Sequence, residues 1–176
     1  MIKILFLVIL ISSTVQGKVE IPDLEVTIQT GENKLFYSDL VKDKVVVIQF
    51  IFTNCGMVCP VLGALFSRLQ KRLGPQMGQQ IHLLSISIDP ANDTPEKMRL
   101  WAKKFDAGFG WNQITGKKQI IDQLLKSLQA FSADRDSHSA LLLLGNERAG
   151  VWKRLDGTTP LKILEIEIQK LLVLNN

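Results

Sequence analysis

The chain has 176 residues, of which 46% are hydrophobic and 22% are charged. This length fits one domain, and this composition excludes both a largely disordered chain and a protein with several membrane spans. The formal charge of +4 comes from 21 basic and 17 acidic residues that are interspersed along the chain, so we expect no nucleic-acid partner. A mildly basic surface favours acidic protein partners or a position close to anionic lipid headgroups.

The amino terminus has the pattern of a secretory signal. Lys3 provides a positive start, residues 4–11 are apolar, and Val15-Gln16-Gly17 resembles a cleavage site. We therefore predict that residues 1–17 are removed, that residues 18–176 form the mature domain, and that the protein is periplasmic or otherwise extracytoplasmic. A retained membrane anchor is the alternative, but the apolar stretch is much shorter than the roughly 20 residues that span a bilayer.

A strand–helix–strand unit, preceded by a hairpin, is predicted in the first half of the chain. Residues 24–28 alternate with period two before a turn at 31–33, which predicts a hairpin at the edge of a sheet. Residues 45–50 are apolar on both faces, as expected for a central strand covered by helices. Helical spacing over 62–73 and a strand pattern over 81–88 follow, and this order implies parallel pairing of the two strands.

Turn and capping signals divide the second half into further segments, at 94–105, 111–114, 120–128, 140–144, 151–155 and 160–172. The first, third and last have helical spacing, and the others have strand patterns. The last two strand segments flank a turn-rich stretch and form a predicted antiparallel hairpin. A βαβ half, inserted helices and a closing ββα half together describe an α/β, thioredoxin-like sandwich.

The two cysteines of the chain, Cys55 and Cys59, lie between the predicted central strand and its helix. A spacing of one helical turn places their Cα atoms about 6 Å apart, within reach of a disulfide or a shared metal. A helix N-terminus stabilises thiolates, and two thiolates suit Cu(I) or Zn(II). We interpret the pair as redox-active or metal-binding, with a static structural disulfide as the alternative.

Two histidines are available as a third ligand. His82 opens a predicted strand, and we interpret it as a surface residue. His138 stands where a polar loop enters the closing hairpin, which faces the cysteine loop in a thioredoxin-like sandwich. On the residues alone, a structural role remains the commoner one for a single histidine.

Three segments, in this order, resemble the Sco/SenC family: TNCGMVCP at 53–60, SISIDPANDTPE at 85–96 and DSHS at 136–139. The resemblance covers essentially the whole chain after the signal. It implies a thioredoxin fold, with one copper ion, as Cu(I) or Cu(II), bound by Cys55, Cys59 and His138. It also implies a role in assembling the copper site of cytochrome c oxidase or in reducing the cysteines of that site.

The chain departs from the family pattern in two places. Gly56 stands where the family commonly has proline, and Ser137 stands where an acidic residue often precedes the histidine. Neither change removes a ligand. In the second segment, we interpret Asp89, Asp93 and Thr94 as turn and helix-capping residues.

Two classes of function are consistent with this pattern. A metallochaperone would hold copper and pass it by ligand exchange to a copper-accepting oxidase subunit. An extracytoplasmic thiol–disulfide oxidoreductase would instead use Cys55 to attack a redox partner protein and Cys59 to resolve the mixed disulfide. A peroxidase of the peroxiredoxin type is disfavoured, because the chain lacks the Pro-x-x-x-Thr-x-x-Cys loop. We expect the protein to be a monomer.

Overall fold

The structure is a computed structural model that describes residues 20–132 and 140–174. These residues form seven strands and four α-helices, namely β1 (Glu25–Ile28), β2 (Asn33–Leu35), β3 (Val45–Ile51), α1 (Val58–Leu73), β4 (Ile81–Ser87), α2 (Pro95–Lys104), β5 (Trp111–Thr115), α3 (Lys118–Ser127), β6 (Leu141–Asn146), β7 (Val151–Asp156) and α4 (Leu161–Val173). Two short helical turns lie between them, a π-type turn at Phe36–Val41 and a 3₁₀ turn at Gly74–Gln76.

The strands form one sheet in the order β2-β1-β5-β4-β3-β6-β7. The three central strands β3, β4 and β5 pair in parallel, whereas every other neighbouring pair is antiparallel. The early hairpin lies at one edge, and β3 lies inside the sheet between β4 and β6, as predicted. The closing hairpin and the parallel unit also agree with the sequence pattern.

Each face of the sheet is covered by helices, and all seven residues of β3 are therefore buried. Val45, Val47 and Ile51 face a core formed with α1, α2 and α4. Alternate residues, such as Ile48, face a second core formed with α3 and the π-type turn. This two-sided burial explains why β3 is apolar on both faces rather than alternating, with Gln49 as its polar residue, whose amide donates to Ser85 Oγ at 2.7 Å.

The site is positioned by the carboxyl ends of β3 and β4. These strands run in parallel with Ile51 opposite Ser87, so the loops that follow them leave the same edge of the sheet. The first loop leads into α1, and the second leads into α2. Thr94 caps α2, because its Oγ1 accepts a hydrogen bond of 3.3 Å from the backbone N–H of Lys97.

The predicted signal and the predicted third ligand, His138, fall within residues 1–19 and 133–139, outside the described residues. Over the residues that the structure describes, none of the helices is long and apolar enough to cross a membrane.

Candidate metal centre

The two cysteines lie at the junction between the loop of residues 52–57, which we call the site loop, and the first turn of α1. The backbone N–H of Cys55 donates to the carbonyl oxygen of Phe52 at 3.1 Å, which closes a turn. The backbone N–H of Cys59 donates to Cys55 Sγ at 3.3 Å. Neither cysteine is in a disulfide, and the spacing of one helical turn brings them together as predicted.

Their environments differ. The Cys59 side chain is 1% exposed and belongs to the core beneath α1. Cys55 is only half-buried, and it lines an open groove at the surface. An approaching protein or metal therefore reaches Cys55 first.

The surroundings of Cys55 favour its thiolate. Burial raises the pKa of Cys55, but hydrogen bonds from the Cys59 side chain and from the backbone N–H groups of Cys59, Met57 and Val58 outweigh burial, so its pKa lies below the ordinary value. These N–H groups belong to the start of α1, where backbone donors have no partner inside the helix. The contacts agree with the predicted effect of a helix N-terminus on a thiol.

Cys59 shows the opposite behaviour. Burial, followed by its hydrogen bond to Cys55, raises the pKa of Cys59 from 9.0 to about 12. The negative charges of Cys55 and Asp93 act in the same direction. In the metal-free reduced protein, Cys55 is therefore the thiol that loses its proton first.

Asp93 fixes the start of the site loop. Its carboxylate accepts hydrogen bonds from the Thr53 N–H at 3.1 Å, the Thr53 hydroxyl at 2.6 Å and the Ser87 hydroxyl at 2.6 Å. The Thr115 hydroxyl donates to its backbone carbonyl at 2.6 Å. Since Asp93 is only 1% exposed, these bonds replace the water that it would otherwise bind. The loop is thus tied to the ends of β4 and β5.

The interpretation of Asp93 as a turn or capping residue is therefore wrong, because its side chain binds the neighbouring loop. For Asp89 the turn role is confirmed, since the Asn92 amide donates to its carboxylate at 2.9 Å. Thr94 is the helix cap described above. The predicted parallel pairing of β3 and β4 could have indicated this role of Asp93, because it places the loops that follow the two strands side by side.

The histidines are placed differently. His82 lies opposite Val46, at the amino ends of β3 and β4, which is the end of the sheet remote from Cys55. It is half-buried rather than fully on the surface, and burial lowers its pKa. Among residues 20–132 and 140–174, no group of three or more His, Cys, Asp or Glu side chains is arranged to hold a metal. His138 as third ligand stays a prediction.

Comparison with known proteins relates this geometry to a family. The family model for SCO1/SenC matches residues 21–172. The SCO1 protein homolog of Bacillus subtilis (strain 168) is 34% identical over 107 residues, which is 59% of this chain and 55% of that protein. A SCO2-like protein of Rickettsia felis is 31% identical over 113 residues, 63% of this chain and 52% of the relative. The chain thus spans about half the length of the curated relatives it matches.

Solved structures share the fold. A SCO1/SenC family lipoprotein from Bacillus anthracis str. Ames has a TM-score of 0.75 and 27% identity, over 88% of this chain and 96% of that one. BsSco, in which a disulfide switch has been identified, has a TM-score of 0.71 and 28% identity, over 87% of this chain and 93% of that one. ScoI of Bradyrhizobium japonicum, solved with copper bound, has a TM-score of 0.71 over 86% of this chain and 99% of that one, and at 23% identity it shows the fold alone.

These structures confirm the thioredoxin-like α/β sandwich. The family model covers nearly all of the chain, including both cysteines and the loop that carries Asp93. On this match the chain belongs to the SCO1/SenC family.

Proposed function

We propose that this protein binds one copper ion through Cys55, Cys59 and His138 and delivers it to a copper-accepting subunit of a respiratory oxidase. The observation that carries the proposal is the pair of cysteines without a disulfide at the start of α1, where the Cys59 backbone N–H donates to Cys55 Sγ. Thiolate sulfur is a soft ligand that suits Cu(I), and imidazole nitrogen suits Cu(II) as well. The donor set therefore fits copper in both oxidation states.

The unequal exposure of the thiols supports delivery by ligand exchange. Cys55 is reachable from the surface, whereas Cys59 is 1% exposed. A thiolate or imidazole of the acceptor can approach copper on the Cys55 side while Cys59 still holds it. In this proposal, Cys55 is the first ligand that the metal leaves.

Family relatives support the same role. BsSco is described as a member of the Sco family of cytochrome c oxidase assembly proteins, and the ScoI structure contains copper. Both are properties of those proteins. We extend them to this chain because it belongs to the family and has the thiol pair in its own site.

An extracytoplasmic location is part of the proposal. The predicted signal at 1–17 would release residues 18–176 outside the cytoplasm, and the structural neighbour from Bacillus anthracis is a lipoprotein. Copper and disulfide chemistry are both compatible with such an oxidising compartment.

A second function, thiol–disulfide exchange without an obligatory metal, is favoured by the same asymmetry. The Cys55 thiolate would attack a partner disulfide, form a mixed disulfide and release one partner thiolate. Cys59, once deprotonated, would attack Cys55 Sγ, leave the protein oxidised and release the second partner thiol. The disulfide switch of BsSco supports this alternative.

Titration of the reduced protein with Cu(I) against a chromophoric chelator tests the copper site. The wild type should bind one ion, and the Cys55→Ser/Cys59→Ser variant should bind none above background. His138→Ala should weaken the binding of Cu(II) more than the binding of Cu(I). His82→Ala is the matched control, because His82 lies at the other end of the sheet. Equal copper binding by the wild type and the double serine variant would reject the site.

A further inference from the structure

A groove of about 280 Å³ opens beside Cys55, between the site loop and α2. Asn54 and Cys55 line its loop side. Its other side is one face of α2, because the lining residues of that helix are spaced at i, i+3, i+4 and i+7. They are Lys97, Leu100, Trp101 and Lys104. A protein segment seated in this groove would lie next to Cys55.

The centre of the α2 face is apolar and firmly held. Leu100 is 59% exposed, although it is a large aliphatic side chain. Beside it, Trp101 packs edge-on against Trp111, with ring centroids 5.9 Å apart, and against Phe105 at 4.7 Å. The indole therefore cannot turn away without breaking core contacts. The groove offers a preformed apolar surface to a partner side chain.

Two lysines flank this apolar centre. Lys97 and Lys104 both line the groove, are exposed, and form no ion pair with any residue that the structure describes. The nearby carboxylate of Glu96 is taken by Arg99, at 3.9 Å. Seven residues separate the lysines along the helix, a rise of about 10 Å. Two exposed positive charges without an ion pair among the described residues thus stand on either side of an apolar surface, and Lys104 Nζ also lies 5.5 Å from the centroid of the Phe105 ring.

We propose that this groove docks an acidic segment of the partner protein, with an apolar side chain between two carboxylates that pair with Lys97 and Lys104. The two carboxylates should lie about 10 Å apart, which is the rise between the two lysines along the helix. The groove is smaller than the sites that enclose drug-sized molecules, so it fits one or two side chains. This inference rests on the proposed function, since the segment must present its reacting group to Cys55.

Peptide probes test the groove. Each carries one cysteine as a mixed disulfide with thionitrobenzoate, in the sequences Glu-Leu-Cys-Glu, Gln-Leu-Cys-Gln and Lys-Leu-Cys-Lys. In the reduced protein, the Cys55 thiolate attacks the peptide sulfur, a new disulfide forms, and the coloured thionitrobenzoate leaves with the electron pair. The rate of colour release measures productive docking at Cys55.

The wild type should react about fivefold faster with the acidic peptide than with the neutral one at low salt, and slowest with the basic one. The difference should shrink as salt is added. Lys97→Gln/Lys104→Gln should bring the acidic-to-neutral ratio close to one. Lys71→Gln/Lys103→Gln is the matched control, because it removes the same charge from exposed positions outside the groove and should keep most of the ratio.

A second variant tests the apolar centre. Replacing leucine by glycine in the acidic peptide should lower the rate of colour release by the wild type. The same replacement should lower the rate of the Leu100→Ser variant less. Equal rates for the acidic and neutral peptides in the wild type would overturn the proposal. The same decrease of the acidic-to-neutral rate ratio in both double lysine variants would also overturn it. If the groove lysines instead control flotation with phosphatidylglycerol vesicles and leave peptide rates unchanged, the surface is a lipid contact and the proposal is wrong. Copper titration reports separately on the proposed function.

Discussion

The two ends of the site loop are held very differently. At the start, the Thr53 backbone and hydroxyl are bound by the buried carboxylate of Asp93. At the tip, a Cβ added to Gly56 would meet no other atom within 4 Å, and Met57 is 80% exposed. The firm end keeps the base of the loop in register with the sheet, and Cys59 is held by the core beneath α1, whereas the accessible Cys55 lies next to the loose end. In the proposed function, the site must hold a metal and also release it, and this needs both properties.

Removing the Asp93 carboxylate, which holds the start of the site loop, should have the largest effect on stability. Asp93→Ala leaves three donors, two on Thr53 and one on Ser87, without their acceptor. We expect the free energy of unfolding to fall by about 3 kcal/mol, measured by urea denaturation. Glu96→Ala, an exposed acid on the adjacent helix, is the control and should change it by no more than about 0.5 kcal/mol. A loss below about 1 kcal/mol for Asp93→Ala would show that the loop is held by other contacts.

The two cysteines should differ in reactivity. Only a thiolate is alkylated, and the pKa of Cys55 is lowered while that of Cys59 is raised to about 12. In reduced, metal-free protein at about pH 8, iodoacetamide should modify Cys55 at least about tenfold faster than Cys59, as measured by mass spectrometry of digests. The Cys55 rate should level off as pH passes its lowered pKa, whereas the Cys59 thiolate fraction should keep rising toward pH 12. In urea the two rates should converge, and equal rates in the folded protein would contradict the asymmetry.

The loop tip should tolerate substitution. Gly56 is not among the residues with a positive φ, so a side chain there meets neither strain nor a neighbour. We expect Gly56→Ala to change the free energy of unfolding by about 0.5 kcal/mol or less. Gly63→Ala is the contrasting control, because a Cβ there would lie 2.7 Å from the Phe105 ring. A large decrease in the free energy of unfolding for Gly56→Ala would mean that the tip of the loop is as constrained as its start at Thr53.

The regular elements were predictable because their burial leaves a periodic pattern. The apolar run of β3 indicated a strand covered on both faces, and Thr94-Pro95 indicated the start of α2. The π-type turn at Phe36–Val41 was missed, because six residues with an unusual hydrogen-bond spacing produce no helical period.

The site was only partly predictable for a different reason. Spacing alone brings Cys55 and Cys59 together, since both belong to one short segment. The role of Asp93 depends on a contact across 40 residues, which follows from strand pairing and not from local pattern. Ser85 and Ser87 also look like the solvated face of a strand, yet both are buried. Ser85 Oγ accepts hydrogen bonds from Gln49 at 2.7 Å and from the Trp111 indole at 2.9 Å, partners that no local pattern reveals.

In the proposed function, the same two sulfurs serve copper binding and redox chemistry. The most direct measurement counts bound copper and free thiols on one sample that is equilibrated across a series of glutathione ratios. A sulfur in a Cys55–Cys59 disulfide lacks the charge that makes it a strong soft-metal ligand. Bound copper should therefore fall in step with free thiols, from one ion per chain to none. Copper that stays bound at full stoichiometry after both thiols have oxidised would contradict the claim and place the metal elsewhere.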